Sequence, residues 1–174
     1  MPTDAQLVGT VLDGDREAFS ELVCRHQDTL YRYACGMGVQ PDVAQDLVQD
    51  AFVRGFMRLH QCRDAQRFRA WLLGILRHLV LDHARDLRQH TVPLDALAEA
   101  DVAVAAPEFE VRHTLAQALR ELPPLLREAF LLRHHQGYSY DEIAAATGSR
   151  VSAVKMRVHR AREQLQQALA VTRM

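Results

Sequence analysis

Lys155, Arg157, Arg160 and Arg162 crowd the stretch SAVKMRVHRAR, residues 152–162. Cations packed this closely, with small and apolar residues between them, suit an anionic polymer: long basic side chains reach phosphates, and the side chains between them meet base edges. At about 100° per residue, Val151, Val154, Val158, Ala161 and Leu165 fall on one stripe of a helix. The opposite face is Ser152, Met156, His159, Arg160 and Glu163, with Lys155, Arg157 and Arg162 on its flanks. In a major groove, Ser152, Met156 and His159 would meet base edges and the flanking cations would reach phosphates on the walls. A helix bathed in water also carries a basic face, so the decision falls to the neighbouring sequence. There, Tyr140–Thr147 reads as a short helix and Val151–Leu169 as a longer one, with Gly148 at the turn, which is the plan of a helix-turn-helix. Ala144, Ala145 and Ala146 are small enough for close helix approach, and Ile143 with Val154 can form the joint core.

A second basic stretch lies upstream. FRAWLLGILRHLVLDHARDLRQ, residues 68–89, interleaves apolar residues with Arg69, Arg77, Arg85 and Arg88. Trp71 reads as core, and the arginines can hold the backbone of a single strand. Before it, QDLVQDAFVRGFMRL, residues 45–59, sets Leu47, Val48, Ala51, Phe52, Gly55 and Leu59 on an apolar side. Asp46, Gln49, Asp50 and Val53 form a second, mostly acidic edge. Carboxylates on a rigid helix suit charge-assisted pairing with an Arg-rich partner.

The formal charge of −1 over 174 residues hides this segmentation. The net charge is −4 over residues 1–62, +3 over 63–90, −5 over 91–110, zero over 111–148 and +5 over 149–174. Two basic segments flanking an acidic one fit a nucleic-acid binder with two contact sites.

Other classes fare worse. The longest apolar run, Ala70–Leu76, falls far short of the roughly 20 residues a membrane span needs, and the N-terminus lacks the pattern of a secretory signal, so a cytoplasmic protein without membrane insertion is expected. Cys24, Cys35 and Cys62 are widely spaced with no CxxC, which indicates neither a disulfide framework nor a zinc knuckle. Cys24 with His26 and His60 with Cys62 could converge on a metal, but small buried thiols and scattered histidines are the commoner reading. Neither metal nor cofactor is expected. The sequence holds no HExxH, P-loop or nucleophile motif, and the adjacent His134 and His135 point to different helix faces, so catalysis is not expected.

The elements that position these residues follow from apolar periodicity, which is helical throughout. Thr3 with Gln6 has capping-box spacing before Leu7, Val8 and Val11, and Gly14 closes that helix. Further helices are expected over Arg16–Cys35 (burying Phe19, Leu22, Val23, Leu30 and Tyr33), Asp42–Leu59 after Pro41, and Arg67–Leu87 (burying Phe68, Trp71, Leu72, Ile75, Leu76, Leu79 and Val80). Residues 89–110 are Ala-rich and acidic, contain Pro93 and Pro107, and read as a linker. Val111–Leu122 and Leu125–His135 then precede the helix-turn-helix. The expected fold is all-α, with two small helical domains joined by an acidic linker.

In family order and spacing, DLVQDAF (46–52), FRAWLLGILRHLVLDHAR (68–85), LPPLLREAFLLRHHQGYSYDEIAAATG (122–148) and AVKMRVHRAR (153–162) resemble the extracytoplasmic-function (ECF) group of sigma factors, short two-domain members of the bacterial sigma-70 family. The resemblance runs from about Ala18 to Leu169. It implies a region 2 domain over 1–88, a linker over 89–110 and a region 4 helix-turn-helix domain over 111–174. The implied activity is promoter-specific initiation without catalysis. Asp46, Leu47, Gln49, Asp50 and Phe52 match the segment that docks on the β′ clamp helices of core RNA polymerase. Arg69, Arg77, His78, Asp82, Arg85 and Arg88 lie where the family opens and reads the minus-10 element, including a base flipped from the stack. Lys155, Met156, Arg157, His159 and Arg160 match positions that read the minus-35 element, and helix geometry adds Ser152 and Arg162. The implied partners are core polymerase (β′ clamp helices and β flap), promoter DNA and an anti-sigma factor. The chain departs from the family at His78, where Asn is common, at Met156, where small residues are usual, and at Arg150, which stands in place of a capping Ser and passes that role to Ser149 or Ser152. A helix-turn-helix regulator acting without polymerase is the alternative. It would leave the DLVQDAF face and the basic 68–88 segment without a purpose.

Overall fold

A computed structural model describes residues 1–89 and 106–171, and every regular element among them is helical. The expected linker therefore lies outside the described residues except at its two ends. α1 (Asp4–Leu12) starts with the expected capping box: the Thr3 hydroxyl accepts from the Gln6 N–H at 3.2 Å, and Gln6 Oε1 accepts from the Thr3 N–H at 2.8 Å. Leu7, Val8 and Val11 are buried on its inner face. α2 (Ala18–Gly36) begins after Arg16, because Asp15 Oδ1 accepts from the Glu17 N–H at 3.0 Å and holds Arg16 and Glu17 in a turn. α3 (Pro41–Met57) carries Pro41 at its first position, where a missing N–H costs no helix bond. It stops short of Leu59, which opens a 3₁₀ turn, Leu59–Gln61. A second such turn, Ala65–Arg67, is capped by Asp64 and leads into α4 (Phe68–Gln89).

α3 packs against both α2 and α4, and α1 packs against α2. Phe19 meets Phe52 and Phe68 edge-on, with ring centroids 6.3 and 6.4 Å apart. Of the expected core, Phe19, Leu22, Leu30, Tyr33, Phe68, Leu72, Leu76, Leu79 and Val80 are buried, while Val23, Trp71 and Ile75 are half-buried. Gly55 sits where α3 and α4 approach: a Cβ there would lie 2.9 Å from Leu72 Cδ1.

α5 (Ala106–Glu121) opens at Ala106 rather than at Val111, which corrects the expected start of that helix. Pro107, read as a linker mark, stands in its first turn, another position where proline is tolerated. α6 (Pro124–Phe130) runs into a π turn, Leu131–His135, so the single helix expected over Leu125–His135 changes pitch midway. α7 (Tyr140–Thr147) and α8 (Val151–Val171) complete the chain. Between them Gly148 takes φ 63°, a left-handed conformation that a side chain would strain. α8 packs against α5 and α6, burying Ala161 and Leu165 with Ala118 and Leu122. Arg127 Nη2 donates to the carbonyls of Arg120 and Leu122, which α5 would otherwise leave open at its C-terminal end. The chain thus divides into two compact units, the first built on α1 to α4 and the second on α5, α6 and α8 with the start of α7.

Candidate nucleic-acid interface

α8 separates its faces as its sequence dictates. Val154, Val158, Ala161 and Leu165 are buried and Val151 is half-buried, whereas Ser152, Lys155, Met156, His159, Arg160, Arg162 and Glu163 are exposed. Met156 is 53% exposed at the centre of that outer face. Arg157 is half-buried, and its Nη1 donates to Ser149 Oγ at 2.9 Å. Ser149, one of the two residues expected to cap α8, thus holds a flanking arginine. The helix itself begins with Arg150 O accepting from the Val154 N–H at 3.1 Å.

Arg162 Nη2 lies 3.2 Å from His134 Nε2. A guanidinium only donates, so this bond requires His134 Nε2 to be unprotonated and the ring neutral. The His134 ring leans on Phe130, tilted by 45° with centroids 4.8 Å apart. This partial burial pushes its pKa below the usual histidine range, and the charges of Arg162 and Arg133 push the same way. On the outer face, His159 Nε2 stands 3.4 Å from the Glu163 carboxylate.

On α4 the expected residues divide into two sets. His78, Asp82 and Arg85 share one exposed face: His78 Nδ1 donates to Gly74 O at 2.7 Å, and Arg85 Nη2 donates to Asp82 Oδ1 at 2.7 Å. With Nδ1 engaged, the outward nitrogen of His78 is Nε2. Arg69 and Arg77 are half-buried, Arg69 within the buried arc between Leu76 and Val80, with its Nε and Nη2 shielded from water. The Arg88 side chain lies outside the described residues.

On α3, Asp46 and Gln49 are exposed, and Asp50 accepts from Arg54 through both oxygens, at 3.0 and 2.8 Å. Leu47 is half-buried, and Phe52 is buried against Phe19. Beside this edge the structure opens a groove of about 820 Å³ between α2 and α3, floored by Phe19, Phe52 and Phe56 and edged by Val53 and Met57. The sequence reading missed it, although the exposed apolar pair Val53 and Met57 at i,i+4 was its signal.

Two of the residues weighed for a metal have other partners. His26 pairs with Asp4 at 2.7 Å, Cys24 is exposed, and the Cys62 thiol donates to Asp64 O at 3.5 Å. Burial pushes the Cys62 thiol up, away from the reactive thiolate. Among the described residues no cluster of three His, Cys, Asp or Glu side chains could hold a metal ion, and no helix is long and apolar enough to cross a membrane.

Comparison with known proteins accounts for both units. Sigma-70 region 2 matches residues 22–90, and sigma-70 region 4 matches residues 112–165. The ECF RNA polymerase sigma factor SigE of Mycolicibacterium smegmatis is 35% identical over 97% of this chain and 70% of its own length. Among solved structures, CnrH in complex with the cytosolic domain of CnrY aligns with TM-score 0.73 and 32% identity, covering 97% of each chain. The sigma factor RpoE in complex with the anti-sigma factor NepR from Bartonella quintana aligns with TM-score 0.71 and 28% identity, covering 88% of this chain and 97% of RpoE. Both region matches and a relative of more than 30% identity along nearly the whole chain place it in one family: it is an ECF sigma factor of the sigma-70 family, a non-enzymatic RNA polymerase subunit that carries regions 2 and 4 and binds DNA through the region 4 helix-turn-helix.

Proposed function

We propose that this chain brings core RNA polymerase to promoters by reading two elements at once. α8 reads the minus-35 element, with Ser152, Met156, His159 and Arg160 toward the bases and Lys155, Arg157 and Arg162 toward phosphates. The α4 face of His78, Asp82 and Arg85 meets the minus-10 element, and Arg69, Arg77 and Arg88 hold its backbone. The working division is a region 2 domain over 1–88, a linker over 89–110 and a region 4 domain over 111–174. One observation carries the reading: α8 buries Val154, Val158, Ala161 and Leu165 and leaves the polar and basic residues of the opposite face in water. Three to five phosphate contacts give a slope of log affinity against log salt of roughly −3 to −5.

Asp46, Gln49 and Asp50 form the polar half of a docking face for the β′ clamp helices, with Leu47 and Phe52 shaping it from beneath. The groove beside them takes the apolar half of the contact. The similarity to RpoE, which was crystallised with NepR, supports control by an anti-sigma factor that covers these surfaces. The test is to replace Asp46 and Asp50 by Arg and measure affinity for core polymerase. Both side chains point to water or to a surface ion pair, so folding is expected to be unchanged while core affinity falls at least about tenfold. Unchanged core affinity removes the docking assignment.

A further inference from the structure

The aromatic ring at the start of α7 has an arrangement that its sequence position does not suggest. Arg133 Cζ lies 4.5 Å from the centroid of the Tyr140 ring, and Lys155 Nζ lies 5.7 Å from it. One cation comes from the π turn before the helix-turn-helix, the other from the reading helix. Each cation is drawn to the negative π-face of the ring. The ring itself is well anchored. Ser139 and Glu142 form a reciprocal capping box, with the Ser139 N–H donating to Glu142 Oε2 at 2.7 Å and the Glu142 N–H donating to Ser139 Oγ at 3.2 Å. That box fixes the first turn of α7, where Tyr140 stands. Arg133 is tied independently, its Nη1 donating to Tyr138 O at 3.1 Å, and Tyr138 is fully buried.

We propose that Tyr140 is a positioning residue of the minus-35 interface, its ring holding both Lys155 and Arg133 for contact with DNA phosphates. The inference rests on the reading of α8 as the minus-35 helix and adds a residue that this reading does not use. A lysine free in water must give up its rotamer freedom when it meets a phosphate, and a cation already held against a ring has lost part of it beforehand. Tyr140 thus acts on affinity through the two cations and not through a contact of its own.

The test uses holoenzyme and a duplex carrying the upstream element recovered from a run-off promoter library. Tyr140→Leu is expected to weaken binding about three- to tenfold, and Tyr140→Phe, which keeps the ring, to stay within about twofold. The salt slope of Tyr140→Leu stays that of the parent, because the phosphate contacts remain, whereas Lys155→Ala makes the slope shallower by about 0.9. In a Lys155→Ala, Arg133→Ala background the Leu substitution should cost nothing further. A Leu penalty that persists in that background, or a Phe variant as weak as Leu, overturns the proposal. If Lys155→Ala changes neither affinity nor slope, the minus-35 assignment of α8 has failed instead.

Discussion

Met156 stands in water at the centre of a face otherwise made of charged and hydrogen-bonding side chains. It has no charge for a phosphate and no donor for a base, so apolar contact with a thymine methyl is the role its chemistry fits. Met156→Ser is therefore expected to change the preferred base at one minus-35 position while general affinity moves by less than about threefold, as read by binding to a randomised duplex pool. Equal weakening on all sequences would mean that another face of α8 meets DNA. His134 gives a pH-dependent counterpart. Its pKa is depressed by partial burial and by neighbouring arginines, so the folded chain binds fewer protons than the unfolded chain below the ordinary histidine pKa of about 6.5. Its contribution is complete above that value and is lost as pH falls through the folded pKa. Thermal melts of the parent and His134→Gln should converge in acid and differ most above about pH 6.5, and identical pH profiles would contradict the Arg162 bond. The exposed side of α8 was legible from residue types at helical spacing. The ties of Arg157 to Ser149 and of Arg162 to His134 were not, because each joins α8 to a residue outside its own periodicity.

At the scale of elements, periodicity located every described helix, and the errors fell at ends. α5 was read as starting too late because Pro107 resembles a linker residue, when a proline in a first turn marks a helix start equally well. The π turn at Leu131–His135 left no trace in apolar spacing, since Leu131 and Leu132 within it remain buried. Arg127 was likewise silent: its type says surface, yet its guanidinium closes the carbonyl end of α5. Arg127→Ala removes charged hydrogen bonds and leaves those carbonyls open, so chemical denaturation should show a loss of about 1–3 kcal/mol. A loss below about 0.5 kcal/mol would place that helix end in water rather than under Arg127.

For the whole molecule, the alternation of acidic and basic blocks along a nearly neutral chain is the property that the two units explain. The +5 block of residues 149–174 contains the reading face of α8, and the +3 block of residues 63–90 contains α4. The two candidate surfaces were legible because each lies on a single helix. The groove between α2 and α3 was not legible, because it arises where two helices meet and neither encodes it alone. A reader of one element would select a single conserved sequence block upstream of its start sites. The most direct measurement is to mix the full chain with core polymerase on a promoter library randomised upstream of the start and sequence the run-off transcripts. Two separate enriched motifs, at minus-35 and minus-10, are the expected result; transcripts with no enriched motif, or with only one, would contradict a two-site reader.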